Sequence, residues 1–170
     1  VSRKFFPQCT SGLDDPRVKI CPENGVEYIK NKKNQYDVIV IDSTDPDDLA
    51  SELFSDDFYQ NVYNALTDNG MMINQTENPF YDEWGIANIY KNIKKAFPKV
   101  FSFYAPMVIY PGVFWTFGVG CKGSNTPTEI QDSKVSKMAE IQKNLKWYNM
   151  DWHRGAFQLS NFHRQMIGLN

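Results

Sequence analysis

Apolar positions along this chain switch between two periods. Tyr36-Asp37-Val38-Ile39-Val40-Ile41 ends in an unbroken β-branched run, the pattern of a strand covered on both faces in a parallel sheet. It runs into Asp42-Ser43-Thr44-Asp45-Pro46, where Pro46 cannot continue a strand. Upstream, the turn-rich Gly12-Leu13-Asp14-Asp15-Pro16-Arg17 leads to a second predicted strand, Val18-Lys19-Ile20-Cys21. Asn24-Gly25 punctuates its end, and a short helix is expected from Val26 to Asn31. Downstream, Ser55 is placed to cap a helix, with Asp56 and Asp57 at its positive end. Phe58, Val62 and Leu66 make its buried stripe, Asn69-Gly70 ends it, and Met71-Met72-Ile73 begins another strand. Ile86, Ile89, Tyr90, Ile93 and Phe97 recur at helical spacing, closed by Pro98. Residues 100–104 and 114–119 read as two more strands, separated by a loop running from Pro106 to Pro111.

Strands and helices in alternation argue for an α/β sheet. The final strand pair without a helix between resembles the ending of a methyltransferase-like Rossmann sheet. Ser2 to Phe6, stopped by Pro7, reads as the last turns of a helix whose start lies upstream. On the resemblance to such a sheet, residues 1–123 are expected to form a partial Rossmann-like catalytic domain that lacks the first strands. Residues 124–170 are expected to be a linker and a helical tail packed on that domain, with Val135, Met138, Ile141 and Leu145 as the apolar face of a tail helix.

Composition narrows the function classes. Hydrophobic residues are 42%, charged residues 22% and net charge is −2, an ordinary soluble balance. There is no basic excess of the kind nucleic-acid binders carry, and Lys30-Asn31-Lys32-Lys33 and Lys94-Lys95 are too short to be basic tracts. Cys9, Cys21 and Cys121 are widely spaced and odd in number, which fits reduced thiols and a cytoplasmic location. His153 and His163 fall in no metal-ligand spacing, so no metal is expected. No apolar run reaches membrane-spanning length, and no membrane association is expected.

Open α/β sheets place ligands beyond the carboxyl ends of their strands. Three such ends here are polar: Asn24-Gly25, the segment Asp42 to Asp45, and Gln75-Thr76-Glu77. Strand-end loops are polar in any fold, so one acidic turn by itself carries little weight. Three converging ends, with Tyr110-Pro111 nearby, point to a pocket lined by carboxylates and an aromatic ring. Trp84 and Trp115 read as core and pocket wall.

Taken together these segments resemble the spermidine synthase (polyamine aminopropyltransferase) family, in its C-terminal portion. The similarity rests on Gly12-Leu13-Asp14-Asp15-Pro16-Arg17-Val18 and on the segment from Tyr36 to Pro46. It continues through Leu53-Phe54, Phe58-Tyr59, Asn64-Ala65-Leu66, Asn69-Gly70, Gln75-Thr76-Glu77, Phe97-Pro98-Lys99-Val100 and Tyr110-Pro111 to the tail from Trp147 to Phe157. The resemblance implies aminopropyl transfer from decarboxylated S-adenosylmethionine, a co-substrate and not a prosthetic group, to putrescine or a similar diamine. The products would be spermidine and methylthioadenosine.

That reaction needs a neutral amine nucleophile, whereas an amine of pKa about 10 is protonated at neutral pH. Asp42 matches the family position that accepts the proton. Asp45 and Tyr110 match positions that hold the polyamine. Gln75 and Glu77, at the next strand end, are candidates for its far amine or for loop capping. Ser43 and Thr44 lie between the two aspartates, as substrate contacts or local turn formers. Asn24-Gly25 stands where the family has Asp-Gly, whose acid receives the adenine amino group, and an asparagine amide oxygen can accept the same bond.

The chain departs from the family in the loop Asp47-Asp48-Leu49-Ala50-Ser51-Glu52, where Leu49 replaces a proline that backs the adenine. Ile109 replaces a threonine before the Tyr-Pro pair. The family's glycine-rich cofactor loop, its ribose-binding acid and its small N-terminal β-domain would all precede Val1. On the resemblance, this chain alone is expected to be inactive, and the full-length protein to be a homodimer or homotetramer. Two other functions are compatible with the residues: an S-adenosylmethionine-dependent amine N-methyltransferase, and a non-catalytic paralogue acting as a dimer partner.

Overall fold

The computed structural model describes residues 1–44, 50–130 and 132–169. Its amino end is a set of single turns: α1 (Ser2–Phe5), α2 (Pro7–Thr10) and a 3-10 turn over Ser11–Asp14. Pro7 stops α1 as expected and then opens α2 at the first helical position, where its missing N–H has no partner to lose. Residues 18–21, expected as a strand, form none. Val18 and Ile20 remain 45% and 61% exposed, and the local backbone bonds, such as Val18 N to Asp15 O, are turn bonds. A β-ladder needs a partner edge, and two β-branched residues do not supply one.

The helix expected over 26–31 is α3 (Gly25–Ile29), one residue earlier, because Asn24 caps it through its side-chain oxygen. The apolar run forms β1 (Tyr36–Ile41). Its burial on both faces does not hold: Ile41 is buried, but Val38 and Val40 are 55% and 66% exposed. β1 is an edge strand, and the helices of the core cover only the Ile39 and Ile41 side.

A 3-10 turn at Ser51–Phe54 leads to α4 (Asp56–Ala65), whose N-cap Ser55 accepts the Phe58 N–H as the sequence suggested. The helix ends at Ala65 and not at Asn69-Gly70. Leu66 is already extended and opens β2 (Leu66–Gln75). The Asn69-Gly70 signal is real but marks an irregularity inside the strand: Tyr36 pairs with Leu66 and Val38 with Met71, so the ladder passes over residues 67–70. The chain continues through α5 (Glu83–Ala96), β3 (Lys99–Pro106) and β4 (Phe114–Cys121).

The sheet order is β1-β2-β4-β3, with β1 and β2 parallel and the other neighbours antiparallel. The α4 crossover between β1 and β2 is the α/β unit that the alternation predicted. α4 and α5 cover one face, where Phe58, Tyr59, Val62, Met72, Ile89, Ile93 and Phe97 form the core. The Phe97 ring lies so close over Gly120 that an added Cβ would sit 2.6 Å from it.

The tail contributes α6 (Asp132–Gln142), α7 (Met150–Ala156) and α8 (Asn161–Met166). The apolar face expected for α6 is not a buried one, since Val135 and Ile141 are exposed. Past α7 the chain meets the sheet through Phe157, whose ring lies 5.4 Å from that of Phe103 and tilted 45° to it. α8 is anchored more deeply. His163 meets Ser102 at 2.9 Å, Ile167 packs against Ile86 and Tyr90, and Lys94 Nζ donates to the Ile167 carbonyl at 2.6 Å.

Candidate active site

β1 and β2 are parallel, so their carboxyl ends open on the same side. The first residues past Ile41 are Asp42, Ser43 and Thr44; β2 ends at Gln75. Gln75 pairs with Phe117 of β4, and Trp115 is two residues away on the same strand. The pleat therefore turns Gln75, Trp115 and Phe117 to one face. The loop between β3 and β4 folds back over that face and brings Met107, Ile109 and Tyr110. Together these residues line one cavity of ≈ 460 Å³.

Asp42 is exposed at this cavity, and its carboxylate has no hydrogen-bond partner among the described residues. Ser43 donates its hydroxyl to the Thr44 carbonyl, a local turn contact, while its own carbonyl oxygen faces Gln75. Gln75 is 4% exposed and fully bonded: its Oε1 accepts from Trp115 Nε1 at 3.0 Å and from the Glu77 N–H at 3.3 Å. Its Nε2 donates to Ser43 O at 3.3 Å and to Glu77 Oε1 at 3.5 Å.

Glu77 does not line the cavity but braces it. Its φ of 76° is in the left-handed region, uncommon for a non-glycine residue. The Thr116 hydroxyl and backbone N–H both donate to its carbonyl oxygen. Tyr110 is held by a loop closed on itself, with Met107 N bonded to Val113 O and Tyr110 N to Met107 O. Gly112 has φ 79°, and a Cβ there would lie 2.8 Å from Asn78 Nδ2, the group that donates to Pro111 O and pins the loop. The Tyr110 ring is 46% exposed and stacked 4.5 Å from the Trp115 ring at 27°.

Two expected site residues lie elsewhere. Asn24 is exposed, with its side-chain oxygen accepting from the Val26 and Glu27 N–H groups. Gly25 lines a separate groove of ≈ 330 Å³ along β1, with Tyr28, Tyr36 and Leu53. Asp45 and Leu49 lie outside the described residues. Trp84, read as core or wall, is 80% exposed, whereas Trp115 is 8% exposed and does form the wall.

Sequence reading missed the bracing residues Trp115 (as a donor), Thr116 and Asn78. Asn78 follows Glu77 directly and was within reach of the motif. Thr116 becomes visible only through the β2–β4 register.

Behind the site runs a buried polar chain. Thr116 and Thr76 hydroxyls are 2.9 Å apart, Thr76 and Tyr90 3.4 Å, and Tyr90 donates to Ser102 at 2.6 Å. Burial pushes the Tyr90 phenol up to about 12, so it remains a donor at any physiological pH. Among the described residues no group of three or more His, Cys, Asp or Glu is placed to hold a metal ion, and no helix is long and apolar enough to cross a membrane.

The spermine/spermidine synthase domain model matches residues 1–130. This chain belongs to that family. It is 40% identical over 169 residues to the polyamine aminopropyltransferase of Alkaliphilus metalliredigens, covering 98% of this chain and 58% of that protein. It is 39% identical to that of Thermotoga petrophila, over 99% of this chain and 56% of the relative. A crystal structure of spermidine synthase in complex with the transition-state analogue AdoDATO superposes with a TM-score of 0.88 at 38% identity, over 99% of this chain and 57% of that one. The spermidine synthase of Thermotoga maritima gives 0.86 at 39% identity, over 99% and 56%. The chain thus spans a little under three fifths of the length of these family members, and its α/β sheet is theirs over that span.

Proposed function

We propose that the cavity beyond β1 and β2 is the amine-acceptor side of an aminopropyltransferase site, acting on putrescine or a similar diamine with decarboxylated S-adenosylmethionine as co-substrate. One observation carries this reading: Asp42 and Tyr110, 68 residues apart in sequence, line the same cavity together with Gln75. A diamine has two basic ends on an apolar stem. It is matched by acceptor oxygens beside Asp42 and Ser43 and by the flat Tyr110–Trp115 wall between them.

In this reading the diamine binds as a cation and loses one proton to Asp42. The neutral nitrogen then attacks the aminopropyl carbon next to the sulfonium. A C–N bond forms, the C–S bond breaks with its electron pair going to sulfur, and methylthioadenosine leaves. The sulfonium is already a good electrophile, so the protein's work is alignment and proton removal. Ser43 and Thr44 offer backbone groups to the amine, and Asp45 is assigned to its hold on the strength of the family motif. The proposal leaves the nucleotide to Asn24, Gly25 and Leu49, and the groove beside β1 that Gly25 lines adjoins this edge of the sheet. It takes residues 1–123 as the catalytic part and 124–170 as a tail packed on it, in a protein that works as a homodimer or homotetramer.

The test is a transfer assay on the protein with the complete native coding region, giving it putrescine with decarboxylated or with intact S-adenosylmethionine. Spermidine formation from the decarboxylated donor alone supports the reading. Methyl transfer from the intact donor, or no product from either, overturns it.

A further inference from the structure

The hydrogen bonds of Gln75 fix something that its residue type does not. Its Oε1 sits between Trp115 Nε1 at 3.0 Å and the Glu77 N–H at 3.3 Å, and both of those groups can only donate. The amide NH₂ must therefore point the other way, where it meets Ser43 O and Glu77 Oε1, which can only accept. A flipped amide would set oxygen against two oxygens and NH₂ against two N–H groups.

The Glu77 N–H comes from a neighbouring residue of the same turn, so the tertiary donor that fixes this orientation is the indole, opposite the Ser43 carbonyl as tertiary acceptor. That indole is 8% exposed, and it also stacks on the Tyr110 ring at 4.5 Å. A single side chain thus touches both Gln75 and Tyr110.

We propose that Trp115 is a positioning and specificity-determining residue for the amine: its N–H locks the Gln75 amide so that Ser43 O and Glu77 Oε1 are gathered as acceptors, and its ring sets the plane of Tyr110. This rests on the reading of the cavity as a diamine site. The site selects a cationic amine because the amide spends its donors on Ser43 O, at the cavity wall, and on Glu77 Oε1 behind it, and so does not turn them to the amine. With the indole N–H gone, Oε1 keeps the longer bond from the Glu77 N–H, and the amide is held less firmly against its two acceptors.

The deciding experiment is a double-mutant cycle in the protein with its complete native coding region, using putrescine as the varied substrate. Trp115→Phe keeps a ring for Tyr110 and removes the N–H. We expect it to raise putrescine KM about tenfold, the worth of one hydrogen bond, with kcat within about twofold and KM for the nucleotide unchanged. Gln75→Ala should raise putrescine KM as well, and adding Trp115→Phe to it should raise KM no further. Thermal melting of each variant accompanies the kinetics, and Trp115→Tyr serves as a second ring-preserving variant if Trp115→Phe does not fold. Additive effects of Trp115→Phe and Gln75→Ala, a loss confined to kcat, or wild-type KM in Trp115→Phe would each overturn the role of the indole. A wild-type protein that takes no putrescine would instead sink the diamine reading, so the two failures are told apart.

Discussion

The hydroxyl of Thr116 donates to the carbonyl oxygen of Glu77 at 2.7 Å, and the Thr116 backbone N–H reaches the same oxygen at 3.0 Å. This pair of bonds holds the turn just past β2 in a conformation, φ 76°, that a glutamate rarely adopts unaided. It also joins the acceptor side of the cavity to the buried chain through Thr76, Tyr90 and Ser102. Thr116→Val keeps the shape and removes the hydroxyl, leaving Thr76 and the Glu77 carbonyl each short of a partner. We expect a loss of about 1–3 kcal/mol in urea unfolding. Stability equal to the parent would mean that the backbone bond alone holds the turn.

Asp42 should matter to turnover more than to amine affinity. In the protein with its complete native coding region, Asp42→Asn is expected to lower kcat by roughly 10²–10⁴-fold, the usual worth of a general base. Steady-state kinetics between pH 7 and 9 checks this. Near-parental kcat across that range would remove Asp42 from the proton transfer.

His163 provides a pH signature of the tail's docking. It has no exposed surface, lies against the Tyr90 and Tyr104 rings, and its Nδ1 has no partner among the described residues. Burial lowers its pKa from 6.5 to about 4. Between those values the unfolded chain binds a proton that the folded chain does not, so stability falls as pH drops through that window. It is unaffected above about pH 6.5. The slope within the window should approach about 1.4 kcal/mol per pH unit. Denaturation at stepwise pH should show this component in the parent and lack it in His163→Gln. An identical slope in both would assign the acid sensitivity to other groups.

The exposed face of β1 should govern the solubility of the 170-residue chain expressed by itself. Val38 and Val40 stand on an edge strand with their side chains open to solvent, the arrangement that invites edge-to-edge association. Val40→Lys places a charge there without touching the α4 side. It should raise the saturation concentration and leave folding stability within about 0.5 kcal/mol. Unchanged aggregation, measured by light scattering across a concentration series, would show that association uses another surface.

The local chemistry of the site was legible in the sequence because it depends on neighbours along the chain. An apolar run that ends in Asp42 and a proline has to be a strand followed by an acidic turn, and Ser55 before two aspartates has to be a helix start. Tyr110 within a proline-bracketed loop and Gln75 at a strand end follow from the same short-range rules. Pairing and coverage are long-range, and there the sequence misled. Residues 18–21 had the composition of a strand and no partner, Val38 and Val40 had that of a buried strand and no cover, and Asn69-Gly70 ended a helix on paper but interrupts a ladder in space.

The site's bracing was likewise a matter of register. Trp115 and Gln75 are 40 residues apart, and only the antiparallel pairing of β2 with β4 turns them to one face. The side chain that fixes the Gln75 amide, and the hydroxyl that holds Glu77 in place, were therefore decided by tertiary structure: hydrogen bonds need a donor within about 3 Å, and sequence distance does not report that.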